Sequence, residues 1–277
     1  MNLPICLLVD NGSLRPEAVL GMRRVAQKLS SASSFVVRAV SLLHSDKIAP
    51  SKLNHENGVT IETFLASEQG SNEKKLLVLP FFLGPSRGIT EWLREKLKDW
   101  EQKKSGRSFK ILDTLYLGNE KILAQALDQQ IEQVRLENKL PNPHVAMVDH
   151  GTPVFEVNQV RERVGMELNK LFLKGDFTFS TCSMERREGD EFAFNDPLLE
   201  QVLAKWGRLG VEQVVLALFF LLPGRHAGKN GDLVEICKDA EKKFPQMKIF
   251  QTLPLGEENI IFEILMGRLN AELVEEC

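Results

Sequence analysis

The stretch Met147-Val148-Asp149-His150-Gly151-Thr152 repeats the residue types of an earlier stretch, Leu8-Val9-Asp10-Asn11-Gly12-Ser13. In both places a short apolar run, residues 5–9 and residues 145–148, leads into a polar turn that contains a glycine. A continuous apolar run of this length, bounded by a turn, is typical of a buried strand in a parallel sheet. We therefore predict that the same strand and turn occur twice in the fold.

Two further pairs of segments match in the same order: residues 81–88 with 219–226, and residues 115–118 with 253–256. Three ordered matches at an offset of 138 or 139 residues indicate that one folding unit was duplicated. The segment Leu140-Pro141-Asn142-Pro143 marks the boundary, because its prolines interrupt the preceding helical pattern. We expect a first domain over residues 1–140 and a second over residues 141–277.

Each copy continues with alternating helical and strand patterns. Apolar stripes at helical spacing follow the first strands: Val19, Met22, Val25 and Leu29 in one copy, and Val157, Val160, Val164 and Leu168 in the other. The further predicted strands are residues 35–40, 76–83, 110–115, 177–179, 214–222 and 248–253. The further predicted helices are residues 91–103, 120–137, 233–244 and 258–273. This alternation predicts an α/β fold of two tandem homologous doubly wound domains, each with a mainly parallel four-stranded sheet flanked by helices.

Composition and charge argue against several classes of protein. The net charge of −3 provides no basic excess for a nucleic-acid or membrane surface, so we expect neither partner. The longest apolar run, residues 214–222, is far shorter than the ~20 residues of a membrane-spanning helix. The first residues lack the basic segment and cleavage site of a signal peptide, which favours a cytoplasmic protein. The four cysteines form no C-x-x-C pair, so we expect reduced thiols.

Two histidines distinguish the second copy from the first. His150 follows the predicted first strand, and His226 lies four residues past the predicted third strand. The matching positions in the first copy hold Asn11 and Gly88. Ligands of open parallel sheets bind at the carboxyl ends of the strands, so we expect the two imidazoles to meet there. Two neutral imidazoles can bind Fe²⁺, Co²⁺ or Ni²⁺, or accept protons near neutral pH. The structural alternative is a turn-capping His150 and a hydrogen-bonded loop His226.

A charged loop, residues 184–191, follows the second predicted strand of the second copy. Its Glu185 is a candidate proton acceptor or metal-guiding carboxylate. Arg186, Arg187 and Arg225 are candidates for pairing with substrate carboxylates, which the guanidinium fork suits. The alternative is that this loop is simply a solvated charged segment.

Glycines flank both histidines. Gly151 and Gly224 allow tight turns and a close approach of the backbone to a ligand. The loop that begins at Gly224 lacks the spacing of a phosphate-binding loop, and no G-x-G-x-x-G occurs, so we expect no bound nucleotide. His44 and His55 are predicted to be surface residues, and His144 is predicted to lie in the linker before the strand.

The strand-H-G-T start at His150 and the later run F-F-L-L-P-G-R-H-A-G-K-N-G-D-L, residues 219–233, resemble the class II metal chelatases. The resemblance is to the two-domain sirohydrochlorin cobalto-/ferrochelatases of the CbiX type, and it covers nearly the whole chain. It implies insertion of Co²⁺ or Fe²⁺ into sirohydrochlorin without ATP, on the way to cobalamin or sirohaem. Related single-domain members handle Ni²⁺.

The resemblance also implies roles for individual residues. His150 and His226 would be the catalytic pair and the ligands of the metal, with Glu185 as the candidate assisting carboxylate. Sirohydrochlorin would lie between the two domains. The residues expected to bind it are Arg225, Arg186, Arg187, Arg87, Gly151, Thr152 and Gly224.

The divalent metal, Co²⁺, Fe²⁺ or Ni²⁺, is a substrate in this reaction, so no organic cofactor is expected. The first copy lacks the histidine pair and is expected to be a degenerate repeat without an active site of its own. We expect a monomer with two pseudo-symmetric halves. The main alternative is a non-catalytic carrier of metal or tetrapyrrole on the same fold. Two others are a chelatase for another tetrapyrrole and a purely structural or regulatory protein.

Overall fold

The strands of the protein form two separate four-stranded sheets. The structure, a computed structural model, describes residues 4–172 and 178–275. The strands of the first sheet are β1 (Ile5–Asp10), β2 (Val37–Ser41), β3 (Lys75–Pro80) and β4 (Ser108–Ile111). Those of the second are β5 (His144–Asp149), β6 (Phe179–Ser183), β7 (Gln213–Leu218) and β8 (Lys248–Gln251). The strand orders are β2-β1-β3-β4 and β6-β5-β7-β8, and all neighbours are parallel. The predicted fold class is confirmed.

Helices flank both sheets. In the first copy they are α1 (Pro16–Ala32), α2 (Ile61–Ala66), α3 (Glu68–Asn72), α4 (Arg94–Gln102) and α5 (Glu120–Glu137). In the second copy they are α6 (Phe155–Phe172), α7 (Leu199–Arg208), α8 (Asp232–Lys243) and α9 (Asn259–Glu275). The predicted apolar stripes face the core, with Val25 and Leu29 of α1 and Val164 of α6 buried. Only Val157 of the predicted stripes is partly exposed.

The order of the second sheet brings three strand ends to one edge. β5 lies between β6 and β7, with Asp149 opposite Ser183 and Val148 opposite Leu218. Residues 145–148 of β5 are completely buried, as a central strand covered by helices on both faces requires. Because the strands are parallel, the loops that follow all three leave from the same edge of the sheet.

The compact units of the fold differ from the two copies in the sequence. One unit contains the described chain as far as Leu117 together with the chain from Gly256 onward, and the other runs from Gly118 to Leu255. Helix α5, from the end of the first copy, packs against α6 and β7 in the second unit. Helix α9, from the end of the second copy, packs on α1 in the first unit, where Glu257 accepts two hydrogen bonds from Arg24 at 2.6 and 2.7 Å. The last helix of each copy therefore packs in the unit that contains the sheet of the other copy.

Several predicted strands have different bounds in the structure. The apolar runs 76–83 and 214–222 extend beyond β3 and β7, because Phe81 and Phe219 are buried in the core from positions after the strands. His226 consequently lies eight residues past the end of β7, where four were predicted. The predicted strands 110–115 and 248–253 are likewise shorter. β4 begins and ends earlier than predicted, whereas β8 begins at Lys248 as predicted and ends earlier.

The second strand of the second copy was predicted at 177–179, but β6 begins at Phe179, and residue 177 lies outside the described residues. The pattern missed β6 because Ser180, Thr181 and Ser183 are polar, which an edge strand tolerates. The prediction for His144 was also wrong: it is the first residue of β5, since the strand begins earlier than its apolar run.

The predicted helix 91–103 is divided. A π-helical turn, Gly88–Leu93, precedes α4, which begins at Arg94. Three helices were not predicted, α2, α3 and α7. The first two have only 6 and 5 residues, too short for a repeating apolar stripe to be recognised.

Candidate functional site

His150 lies in a sharp turn directly after β5. The turn is fixed to the next strand end by two backbone bonds, from Met184 N to Asp149 O at 2.8 Å and from Glu185 N to His150 O at 3.2 Å. Gly151 follows with φ of +91°, and a Cβ at this position would come within 1.9 Å of Glu185 O. Only glycine fits this place, because a side chain would be both strained and in collision. The H-G sequence is thus a structural requirement for the close approach of Glu185 to His150.

His226 lies in the loop between β7 and α8. Its backbone oxygen accepts a hydrogen bond from Leu233 N at 3.3 Å. Its ring nitrogen Nδ1 lies 2.7 Å from Oδ2 of Asp232, the first residue of α8. Both contacts hold the histidine against the start of the helix.

The two imidazoles, which come from loops after neighbouring strands, meet at the edge of the sheet. Their ring centroids are 4.2 Å apart and the planes are inclined at 54°. His150 is 44% exposed and His226 is 27% exposed, so both rings are open to a ligand. Glu185 lies beside this pair, with its Oε1 at 3.3 Å from His150 Nε2. The structure thus brings together the three residues that the sequence named as catalytic candidates.

The hydrogen bonds of His226 define which nitrogen is available. A carboxylate only accepts hydrogen bonds, so Nδ1 carries the proton that it shares with Asp232. In the neutral ring, Nε2 then keeps its lone pair for a proton or a metal ion. Partial burial lowers the pKa of His226, and so does the proximity of His150, while Asp232 and Glu185 act in the opposite direction. Burial and the second imidazole prevail, and they favour the neutral, ligand-ready ring.

His150 has the same arrangement with a different partner. Its Nδ1 lies 3.0 Å from the carbonyl oxygen of Gly151, which accepts the Nδ1 proton. The lone pair of Nε2 in the neutral ring then faces a carboxylate oxygen of Glu185 at 3.3 Å. Two acceptors at this distance need a proton or a cation between them. The gap between His150 and Glu185 is therefore suited to take up either one.

The predicted substrate-binding arginines have different environments. Arg225 is 76% exposed, with Nε at 3.6 Å from Asp232. Arg187 is exposed and lies over the ring of Phe192 at 5.9 Å. Arg186 is engaged within its own loop, where Nε contacts Asp196 at 3.1 Å and Nη1 donates to Gly189 O.

The other predicted binding residues are distributed over both units. Arg87 belongs to the first compact unit, is 70% exposed and lies 3.9 Å from Glu91. In the second unit, Thr152 follows the His150 turn, and its backbone N–H and C=O are both bound by the side chain of Asn195, each at 2.9 Å. Gly224 accepts a hydrogen bond from Gly228 N at 3.1 Å within the His226 loop.

The remaining histidines belong to other parts of the fold. His44 and His55 are exposed in the first unit, as the sequence predicts. His144 packs edge-on against Trp206 at the opposite end of β5, and burial lowers its pKa. Throughout residues 4–172 and 178–275, no group of three or more His, Cys, Asp and Glu side chains is arranged to hold a metal ion.

Sequence reasoning missed two residues of the site. Asp232 was visible only as part of the G-D-L run, and its partnership with His226 depends on the path of the loop between them. Arg161 is a fully buried arginine on α6, beneath the His150 turn. Its signal was a charged residue within the apolar stripe, four positions after Val157 and three before Val164.

Comparisons with known proteins agree with this fold. The CbiX family model matches residues 6–134 and 181–272, so the chain belongs to the CbiX family. A sirohydrochlorin ferrochelatase of the Arabidopsis thaliana chloroplast is 28% identical over 127 residues, which is 45% of this chain and 50% of that protein. The chain thus aligns with only half the length of this curated relative.

Two solved structures share the fold over nearly their whole length. SirB from Bacillus subtilis with Fe³⁺ has a TM-score of 0.69 at 12% identity, covering 97% of this chain and 95% of SirB. The sirohydrochlorin chelatase SirB from Bacillus subtilis subspecies spizizenii in complex with cobalt has a TM-score of 0.68 at 11% identity, covering 97% and 94%. In the described part of this chain, no helix combines the length and apolar character needed to cross a membrane.

Proposed function

We propose that this protein inserts a divalent metal ion, Co²⁺ or Fe²⁺, into sirohydrochlorin without ATP. The observation that carries the proposal is the pair of imidazoles of His150 and His226, with ring centroids 4.2 Å apart. Both Nδ1 atoms are committed to oxygen acceptors, so both Nε2 lone pairs are available in the neutral rings. Membership of the CbiX family supports the same reaction.

Metal capture is the first task of such an enzyme. Imidazole nitrogen suits Fe²⁺, Co²⁺ and Ni²⁺, and the carboxylate of Glu185 adds a negative charge beside His150. We assign His150 and His226 as ligands of the incoming ion and Glu185 as the residue that draws the ion toward them. The pyrrole nitrogens of the substrate then replace the imidazoles, so the ion leaves with the product.

Proton removal is the second task, because insertion displaces two protons from pyrrole nitrogens. An imidazole that has released the metal regains its lone pair and can accept one of them. The His150–Glu185 gap takes up a proton between its two acceptors, and Asp232 stabilises a protonated His226 through Nδ1. Both protons then pass to solvent, which the partly exposed rings reach.

Exposed arginines bind the carboxylates of the acidic substrate. Sirohydrochlorin carries many carboxylates, and we assign Arg225 and Arg187 as their partners, because both side chains are exposed in the loops that carry the site. Arg186 supports the same loop through Asp196 and Gly189. Thr152, Gly151 and Gly224 form the backbone against which the ring would lie, and the role of Arg87 stays a prediction from the sequence.

The names of the relatives leave iron and cobalt as candidate metals. The Arabidopsis relative is named a ferrochelatase, and SirB is described with Fe³⁺ and with cobalt. We propose Co²⁺ or Fe²⁺ as the physiological metal, for cobalamin or sirohaem formation respectively. The ranking of insertion rates with the two ions under anaerobic conditions decides between them.

We further propose a monomer in the cytoplasm, with its active site in the second copy, residues 141–277. Among the described cysteines, Cys6, Cys182 and Cys237 are buried free thiols, in keeping with a reducing compartment. Light scattering should give the mass of one chain, and cell fractionation should find the protein in the cytoplasm. A dimer mass or a plastid location, as in the name of the Arabidopsis relative, would correct these assignments.

An anaerobic absorbance assay tests the function. Purified protein is mixed with sirohydrochlorin and Co²⁺ or Fe²⁺, and the spectral change on insertion is followed beside a protein-free control. We expect insertion well above the spontaneous rate, with protoporphyrin and uroporphyrin failing to compete. A rate equal to the control, with sirohydrochlorin bound, would instead identify a non-catalytic carrier.

A further inference from the structure

We propose that Arg161 is a positioning residue for His150 and that its guanidinium holds the turn that carries the catalytic ring. The inference rests on the proposed function, because it assigns His150 a role that the turn must serve. Arg161 is 1% exposed, although it is a charged residue within the apolar stripe of α6. Burying such a charge is costly, so its partners must compensate it fully.

One branch of contacts leads from Arg161 to Gly151. Nη1 donates to the hydroxyl of Ser183 and lies 3.4 Å from Oδ1 of Asp149. Ser183 in turn donates to the same Oδ1 at 2.7 Å, and this oxygen accepts the N–H of Gly151 at 3.1 Å. The carboxylate therefore connects the buried guanidinium to the residue that follows His150.

A second branch leads from Arg161 to Thr152. Nη1 donates to the backbone oxygen of Asn195 at 3.2 Å, and Nη2 donates to that of Phe194 at 3.4 Å. The side chain of Asn195, completely buried, binds both backbone groups of Thr152. The two branches hold the turn on each side of Gly151. The far side of the guanidinium is neutralised by Glu162, whose Oε1 lies 2.8 Å from both Nε and Nη2.

The first copy provides a comparison within the same chain. At the offset of 139 residues that relates α1 to α6, Met22 stands where Arg161 stands in the second copy. Asp10, the counterpart of Asp149, is paired with Ser41 in the same register but has a buried oxygen, Oδ1, without a hydrogen-bond partner. The copy that lacks the histidine thus also lacks the arginine, although it keeps the aspartate, the serine and the glycine turn.

Arg161→Met, which installs the residue of the first copy, is the direct test. We expect a folded protein whose Co²⁺ affinity, measured without tetrapyrrole, and insertion rate both fall about 10–100-fold. The ¹⁵N signals of the His150 ring should shift, while those of His44 and His55 stay in place. Arg161→Lys should not restore these properties, because one ammonium group cannot reach both branches. Arg163→Met makes the same change at an exposed position of α6 and should behave as the wild type.

Unchanged His150 signals and Co²⁺ affinity in Arg161→Met would overturn the proposal, and so would full restoration by Arg161→Lys. If Arg161→Met does not fold, Asn195→Ala removes the side chain that binds Thr152, together with its contacts to Phe192 O and Ser183 Oγ, and is read in the same way. If the wild type binds no Co²⁺ and inserts no metal, the proposed function fails, yet the His150 ring signals still decide whether Arg161 positions the turn.

Discussion

The imidazoles of His150 and His226 lie with their centroids 4.2 Å apart, although they follow different strands of the second sheet. This proximity results from strand order, because β5 and β7 are neighbours and both loops leave the same edge. A duplicated fold supplies this edge twice, but only the second copy has histidines at these two positions, where the first has Asn11 and Gly88. The chemistry of the protein is consequently expected from the unit that contains β5 to β8.

Asp232 should be needed to orient His226. In Asp232→Asn the charge that stabilises the Nδ1 proton is lost, and the amide can present a donor instead of an acceptor to the ring. We expect the rate of metal insertion and the Co²⁺ affinity to fall by about 10–100-fold. Glu235→Gln, an exposed carboxylate one turn further along α8, is the matched control. Equal rates in both variants would remove Asp232 from the site.

Gly151 should tolerate no side chain. Gly151→Ala places a methyl group 1.9 Å from Glu185 O at a φ of +91°, so the turn must shift. We expect a loss of ~1–3 kcal/mol in the free energy of unfolding, together with weaker Co²⁺ binding. Gly12→Ala produces the equivalent collision in the first copy, at 1.8 Å from Leu43 O. Urea denaturation should show destabilisation in both variants, whereas Co²⁺ titration should show a defect in Gly151→Ala alone.

Ionisation of Asp10 should lower the free energy of unfolding as the pH rises. Burial raises the pKa of this carboxyl from 3.8 to about 6, so the folded state holds a proton that the unfolded chain releases. Below pH 3.8 the carboxyl is protonated in both the folded and the unfolded state and costs no stability. As the pH rises toward 6, the free energy of unfolding falls by about 3 kcal/mol. Asp10→Asn removes this charge and should make the protein more stable than the wild type at pH 7.

The gain in Asp10→Asn should shrink toward pH 4, and urea denaturation at both pH values measures it. Asp46→Asn changes an exposed carboxyl in the same unit and is the control. A variant of Asp10 that loses stability at pH 7 would mean that the carboxylate has a compensating partner. The contrast with Asp149, which has Arg161, would then need another explanation.

The packing of α5 in the second unit and of α9 in the first allows us to predict which fragments of the chain fold alone. A fragment of residues 118–255 contains α5 together with α6 and β7, against which it packs. We expect this fragment to unfold cooperatively and to bind Co²⁺, because both histidines are within it. The sequence copy 141–277 lacks α5, so we expect it to be less stable. Comparison of the two fragments by urea denaturation checks this, and a more stable 141–277 would favour the domain boundary at residue 140.

Much of the fold was predictable because it depends on local patterns. The duplicated strand-turn segments, the apolar stripes of α1 and α6 and the last helix of the first copy, residues 120–137, all follow from spacing within one element. β6 was misplaced because its polar residues bind neighbouring side chains. Ser183, for example, accepts a hydrogen bond from Arg161 and donates one to Asp149. Edge strands with such partners have no alternating pattern to detect.

The histidine pair could be predicted from the sequence, but the residues that hold it in place, Asp232 and Arg161, could not. His150 and His226 differ from Asn11 and Gly88 in a simple comparison of the copies. Asp232 contacts His226 only because the loop returns to the start of α8, and Arg161 lies under the turn only because α6 packs on the sheet. Such partnerships depend on tertiary structure, which a single sequence does not specify.

The most direct test of the account is the initial rate of metal insertion into sirohydrochlorin in His150→Ala, His226→Ala and the double variant. Loss of a general base costs about 10²–10⁴-fold, and groups that act as a unit are not additive, so each single variant should lose nearly as much as the double. His44→Ala and His55→Ala, exposed histidines of the first unit, should keep the wild-type rate. Wild-type rates in His150→Ala and His226→Ala would contradict the assignment of the reaction to this pair.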